Sequence, residues 1–167
     1  MALYDDEFYV TLPSNASVKV FEDNKPSNFT MQLPHYVLLQ CEWGVAAMEF
    51  QFTNDFEFIH DNELHSFDST STNHPRSQAV FIYSDIADYQ FVGDVKAQLL
   101  GVVPIVSSRG DRQHWTFSPP YYSRVATTYF NRIKVWIADQ CGDEIKFADT
   151  REFVLLRLHF QKKQQRL

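Results

Sequence analysis

The sequence predicts an all-β protein, a sandwich or a barrel, and three features lead to that expectation. Short runs rich in β-branched and aromatic residues, the side chains that suit a pleated and half-buried surface, fill nearly the whole chain. Clusters of Pro, Asn, Asp, Ser and Gly separate the runs, and no helix-period stretch extends beyond about two turns. Aromatic residues make up 16% of the 167 residues, with 15 Phe and 8 Tyr, so the core they fill is aromatic-rich. A single domain of this length buries roughly 70% of its extended surface, enough for a core without disulfide or metal staples.

The elements follow in order. Phe8-Tyr9-Val10-Thr11-Leu12 is a first strand, stopped by Pro13-Ser14-Asn15. Val18-Lys19-Val20-Phe21 follows as a further apolar run, and residues 22–28 form a turn. Phe29, Met31 and Leu33 then share one face by the two-residue period, which Pro34 is expected to end. After a short apolar run over 36–39, residues 43–52 are apolar on both faces at their start, as a central, doubly covered strand would be. Residues 53–78 are dominated by Asp, Asn, Ser, Thr and His and read as a long polar loop, with Phe56, Phe58 and Ile59 as one extra edge strand. Ala79-Val80-Phe81-Ile82-Tyr83 resumes the strand pattern, and 85–94 is an irregular connection ending near Gly93. Gly101 and Pro104 make the run 99–106 an edge strand, a bulged one or a shortened one. Arg109-Gly110-Asp111 is a turn, His114-Trp115-Thr116-Phe117 a strand, and Ser118-Pro119-Pro120-Tyr121-Tyr122 a stiff connection. Residues 129–138 place Ile133, Val135 and Ile137 opposite Arg132, Lys134 and Trp136. The segment 139–143 turns the chain, and Ile145-Lys146-Phe147 returns as the hairpin partner. In the last strand Val154, Leu156, Leu158 and Phe160 face the core, while Arg157 and His159 point outward as sheet-surface groups. The expected organisation is one domain over 1–161 and a short basic tail over 162–167.

Charge and motif content narrow the function classes. A net charge of -6 and a pI near 5.4 argue against wrapping nucleic acid over the whole surface, since Lys and Arg drive phosphate binding. The N-terminus has no basic-then-apolar leader pattern and no apolar run has the length of a membrane helix, so the expectation is an unsecreted protein with no membrane partner. Cys41 and Cys141 are no disulfide framework. Arg-Gly-Asp at 109–111 is ordinary turn chemistry before it is an adhesion signal. His60, Asp61, Glu63, His65 and His74 lie close in sequence but lack metal-ligand spacing, and Asp85, Asp88 and Asp94 lack the glycine pivot and terminal Glu of a calcium loop. No nucleophile elbow or phosphate-cradling glycine loop is present. The expectation is a protein that is not an enzyme, with no catalytic residues, no metal and no cofactor.

Several segments taken together carry a resemblance. They are residues 8–17, Asn28-Phe29-Thr30 to Leu33, Glu42-Trp43-Gly44-Val45-Ala46, Phe81-Ile82-Tyr83-Ser84-Asp85-Ile86, Val92-Gly93-Asp94, Leu99-Leu100, Pro120-Tyr121-Tyr122, residues 131–137, Gly142-Asp143-Glu144-Ile145-Lys146-Phe147 and Leu156-Arg157-Leu158-His159-Phe160. In this order they resemble the minor capsid, or penton, proteins of Maverick/Polinton elements and adintovirus-like viruses. The polar stretch 53–78 departs from that family, which carries a longer insertion there. The resemblance implies a single jelly-roll β-sandwich of two packed antiparallel sheets. It also implies a structural virion protein that assembles in the host cell interior, self-associates as a pentamer at capsid vertices and meets a larger, double-jelly-roll major capsid protein.

A ring built around a five-fold axis joins one flank of each subunit to a different flank of its neighbour. Candidate contact residues are Tyr89, Phe91, Trp115, Tyr121, Tyr122 and Trp136, each in a connection or opposite a core face, with ordinary core packing as the competing reading. Lys162, Lys163 and Arg166 could touch nucleic acid weakly, although a solvated tail is the simpler reading. The alternative function is a non-catalytic ligand-binding β-sandwich, lectin-like or a protein-interaction module.

Overall fold

The computed structural model describes residues 2–3, 6–57, 79–148 and 153–164. Its strands are β1 (Ala2–Leu3), β2 (Glu7–Pro13), β3 (Asn28–Leu38), β4 (Trp43–Thr53), β5 (Phe56–Glu57), β6 (Ala79–Ser84), β7 (Gln90–Val92), β8 (Val95–Ala97), β9 (Leu99–Pro104), β10 (Arg112–Thr116), β11 (Ser123–Arg124), β12 (Tyr129–Ala138), β13 (Lys146–Phe147) and β14 (Leu155–Lys162). One sheet runs β1-β3-β12-β6-β9 and the other β10-β4-β14-β2, with β11 continuing the line of β10 along β4. The long strands pair as a nested antiparallel ribbon: β2 with β14, β3 with β12, β4 with β10 and β6 with β9. That ribbon, folded across two sheets, is a single jelly roll.

The core lies between the sheets and is aromatic, as composition predicted. Phe29, Phe50, Phe52, Phe56 and Phe160 are among the largest fully buried side chains. Phe160 stacks on Phe8 of its own sheet at 4.6 Å and on Phe130 of the opposite sheet at 5.9 Å, so one ring ties the layers together. The inward set of the last strand is as expected, with Val154, Leu156, Leu158 and Phe160 each at 0% exposure. Ile133, Val135 and Ile137 likewise face the core from β12. β4 is central, between β10 and β14, and every residue from Trp43 to Ala47 is buried. β9 is the edge expected from its Gly and Pro, and the register shifts at its pairing with β6.

Several expectations need correction. Val18 and Val20 form no strand; residues 14–20 coil through turns closed by Val20 and Phe21 N–H donating to Ser17 O, and both valines are exposed. Pro34 does not end its strand. β3 runs on to Leu38, because the register against β12 shifts between Phe130 and Arg132 and leaves Pro34 in an irregular stretch where the ladder asks it for no donor. The irregular connection after β6 contains a hairpin, β7–β8, turning at Gly93 with φ 64°. The turn at 139–143 forms, with Asp139 Oδ1 accepting from Cys141 and Asp143 N–H. The return begins as expected, with Glu144 opposite Ala138 and Ile145 N–H donating to Ile137 O, but Lys146 and Phe147 leave to pair with Glu57 and Phe56, because β3 and β6 occupy both edges of β12 at Trp136. Phe56 is therefore in an extra short strand as expected, while Phe58 and Ile59 lie outside the described residues. At the C-terminus β14 takes in Lys162, and Lys163 N–H donates to Glu42 O.

Candidate subunit-contact site

Antiparallel order brings three connections to one end of the sandwich: 39–42 between β3 and β4, 85–98 between β6 and β9, and 117–128 between β10 and β12. The start of β2 and the end of β14 reach the same end, where Glu7 pairs with Gln161 and Gln161 with Gly44. Backbone hydrogen bonds lock these connections together. Asp88 N–H donates to Arg124 O, Ala126 N–H to Ile86 O, Leu39 N–H to Thr128 O and Val125 N–H to Trp43 O, all at 2.8–2.9 Å. A loop cluster so bonded presents its side chains from a fixed frame.

The six residues expected at subunit contacts fall into separate places. Tyr89, Phe91 and Tyr121 stand at this end and are 62%, 76% and 69% exposed. Tyr122 is beside them but turned inward. Trp115 sits on the core side of β10, opposite Phe50 and packed against the core. Trp136 is on the outer face of β12, stacked on Tyr83 at 5.9 Å with the Lys134 ammonium 5.7 Å from its ring. Two exposed aromatics at the same end escaped the sequence reading, Tyr36 and Tyr129, which stack at 4.6 Å with their planes 6° apart. Only the pairing of β3 with β12 makes them neighbours.

His159 is the main departure from the sequence reading. It points away from the core as periodicity requires, yet it is 5% exposed. Its outward neighbours on β4, Gly44 and Ala46, are small, and a Cβ on Gly44 would lie 3.3 Å from Tyr122 Cβ. That room lets Tyr122 lie against β4 and place its hydroxyl 2.6 Å from His159 Nδ1. The other ring nitrogen, Nε2, is 2.8 Å from Glu7 Oε2. Tyr9 stacks on the imidazole at 4.5 Å, and the Arg157 guanidinium lies over the far ring at 4.6 Å. Burial, helped by Tyr9 and Glu7, raises the Tyr122 phenol above its ordinary value, so it keeps its proton. A consistent pattern has Nε2–H donating to the Glu7 carboxylate and the Tyr122 O–H donating to Nδ1. This arrangement staples β2, β14 and the 117–122 connection.

Beside the staple runs a groove of about 420 Å³, lined by Leu39, Cys41, Trp43, Arg124, Val125 and Thr128 among others. Its floor is apolar, with Leu39 and Trp43 buried, and its rim is charged. Glu42 lies 3.8 Å from Arg124 Nε and 3.5 Å from Lys163 Nζ, exposed pairs worth ~0–1 kcal/mol each. Among the described residues no three His, Cys, Asp or Glu side chains gather as metal ligands would. His60, Asp61, Glu63, His65 and His74 lie outside the described residues, as does Arg166. Asp85 Oδ1 accepts from Lys134 N–H and Asp88 Oδ1 from Tyr89 N–H, so both carboxylates shape loops.

No protein-family model matches the chain, and no curated protein matches it in sequence. Among solved structures, the crystal structure of the mavirus penton protein is similar to it with a TM-score of 0.63 and 9% identity, covering 95% of this chain and 100% of that one. At that identity the likeness establishes the penton-like jelly-roll fold.

Proposed function

We propose that the chain is a structural virion protein of penton type, related to the minor capsid proteins of Maverick/Polinton elements and adintovirus-like viruses. In this reading it forms a pentamer at capsid vertices, contacts a double-jelly-roll major capsid protein and performs no catalysis. The observation that carries the reading is the extent of the fold match, which takes in the whole mavirus penton chain and 95% of this one. The rigid loop cluster supports it as well. Three exposed aromatic side chains on fixed loops, Tyr89, Phe91 and Tyr121, are the kind of surface that associating proteins bury.

Mass photometry over a wide concentration and salt range, with negative-stain imaging of the largest species, tests the proposal. Five-fold rings, formed alone or with the major capsid protein, are the expected result. A protein that stays monomeric throughout and adds to no capsid assembly is not a penton.

A further inference from the structure

We propose that the β7–β8 hairpin of one copy seats its Phe91 ring in the groove between residues 39–43 and 124–128 of a neighbouring copy. This deepens the penton reading and rests on it. Phe91 is the most exposed large hydrophobic side chain among the described residues, and its hairpin pairs with neither main sheet. The hairpin's own groove does not hold it: Asp88 is pinned to Arg124 at the groove wall, while the Phe91 ring beyond is 76% exposed. The groove of about 420 Å³ is wide enough for a single ring, with half-buried Val125 in its wall and the edges of Leu39 and Trp43 at its base.

Charge points to the same occupant. The hairpin and its root carry Asp88 and Asp94 against Lys96, whose ammonium lies 5.5 Å from the Phe91 ring. The groove and the adjoining hollow, which share Cys41, carry Arg124, Lys162 and Lys163 against Asp6 and Glu42. An acidic excess thus meets a basic one, which favours this register over groove against groove or hairpin against hairpin. The hairpin's root is bonded along the outer wall of the groove, Asp88 N–H to Arg124 O and Ala126 N–H to Ile86 O, so each copy carries both surfaces at the same end of the sandwich. Hairpin and groove are different surfaces, so their meeting is a heterologous contact, the kind that can close a ring.

Cys41, exposed at the groove, provides the test. In a C141S background, F91C places a second thiol at the hairpin, and mild oxidation joins two thiols only where their Cα atoms approach within ~7 Å. The expected result is a ladder of disulfide-linked multimers ending at the native assembly size. V106C, exposed at the opposite end of the sandwich, gives no such ladder. F91A, which removes an exposed ring and leaves the core intact, weakens self-association at least ~30-fold, as loss of a central anchor does. If assemblies form but F91C does not cross-link and F91A assembles normally, the hairpin contact is wrong and the penton reading stands. If the wild-type chain never associates, both fall. Capture of a small ligand or a foreign protein by the groove, with assembly unaffected by F91A, also overturns the contact.

Discussion

Phe160 and Phe91 are the same residue type in opposite settings, and replacing each by Ala separates core from surface. Phe160 is 0% exposed and stacks on Phe8 at 4.6 Å and on Phe130 at 5.9 Å. Truncating a buried Phe costs ~3–5 kcal/mol, and two lost ring pairs at ~0.5–1.5 kcal/mol each place this one at the top of that range. For a domain of this size ~5 kcal/mol corresponds to a fall in melting temperature of roughly 10–20 °C, and it consumes a large part of a total stability of ~5–15 kcal/mol. F91A, by contrast, stays within ~0.5 kcal/mol of the wild type when measured on the monomer. Urea unfolding followed by tryptophan fluorescence at low protein concentration measures both. A loss below ~1 kcal/mol for F160A, or equal losses for the two variants, would refute the assignment of Phe160 as the ring that joins the sheets.

Further predictions concern the staple, a turn and a tight contact. Y122F leaves Nδ1 of the buried His159 without its partner at 2.6 Å and costs ~1–3 kcal/mol by urea unfolding; a neutral result means the contact carries no weight. The Glu144 carboxyl is raised by burial, but hydrogen bonds from Lys25 and Ser27 and the charges of Lys25 and Lys146 outweigh this and hold it below its ordinary 4.5. A depressed carboxylate contributes stability above its unfolded pKa and loses it as pH falls through the folded value. Wild type is therefore more stable than E144Q at neutral pH, and the two unfolding curves converge as pH falls through the depressed folded value of Glu144. Parallel curves would show that the ion pair at 2.9 Å contributes nothing. In G101A the new Cβ stands 2.8 Å from Phe117 Cε1, an overpacking worth ~1–3 kcal/mol unless the ring swings away. Adding F117L removes the clash, so the double-mutant cycle is non-additive; additive effects would place the clash elsewhere.

Local periodicity determined much of this protein. The two-residue alternation of Val154, Leu156, Leu158 and Phe160 fixed which face of the last strand enters the core, because a strand's side-chain direction depends only on its own backbone. The same rule put Ile133, Val135 and Ile137 inside, and Gly101 with Pro104 marked an edge through what their backbones cannot do. The hairpin that turns at Gly93 was not read from periodicity, because its strands are too short to show one; only an irregular connection ending near Gly93 was expected.

Tertiary structure decided what depends on partners. His159 alternates outward like any surface residue, and only β2 beside it and Tyr122 laid against Gly44 bury it. Lys146 and Phe147 follow a turn that promises a hairpin, but the strand they would join was already paired on both edges. Tyr36, Tyr89, Phe91, Tyr121 and Tyr129 come to one end of the sandwich because the ribbon folds as a jelly roll, which makes connections far apart in sequence neighbours in space. Side-chain facing is a property of one strand and can be read along it. Burial of an outward polar group and the gathering of exposed rings depend on strand order, which no single run of residues encodes.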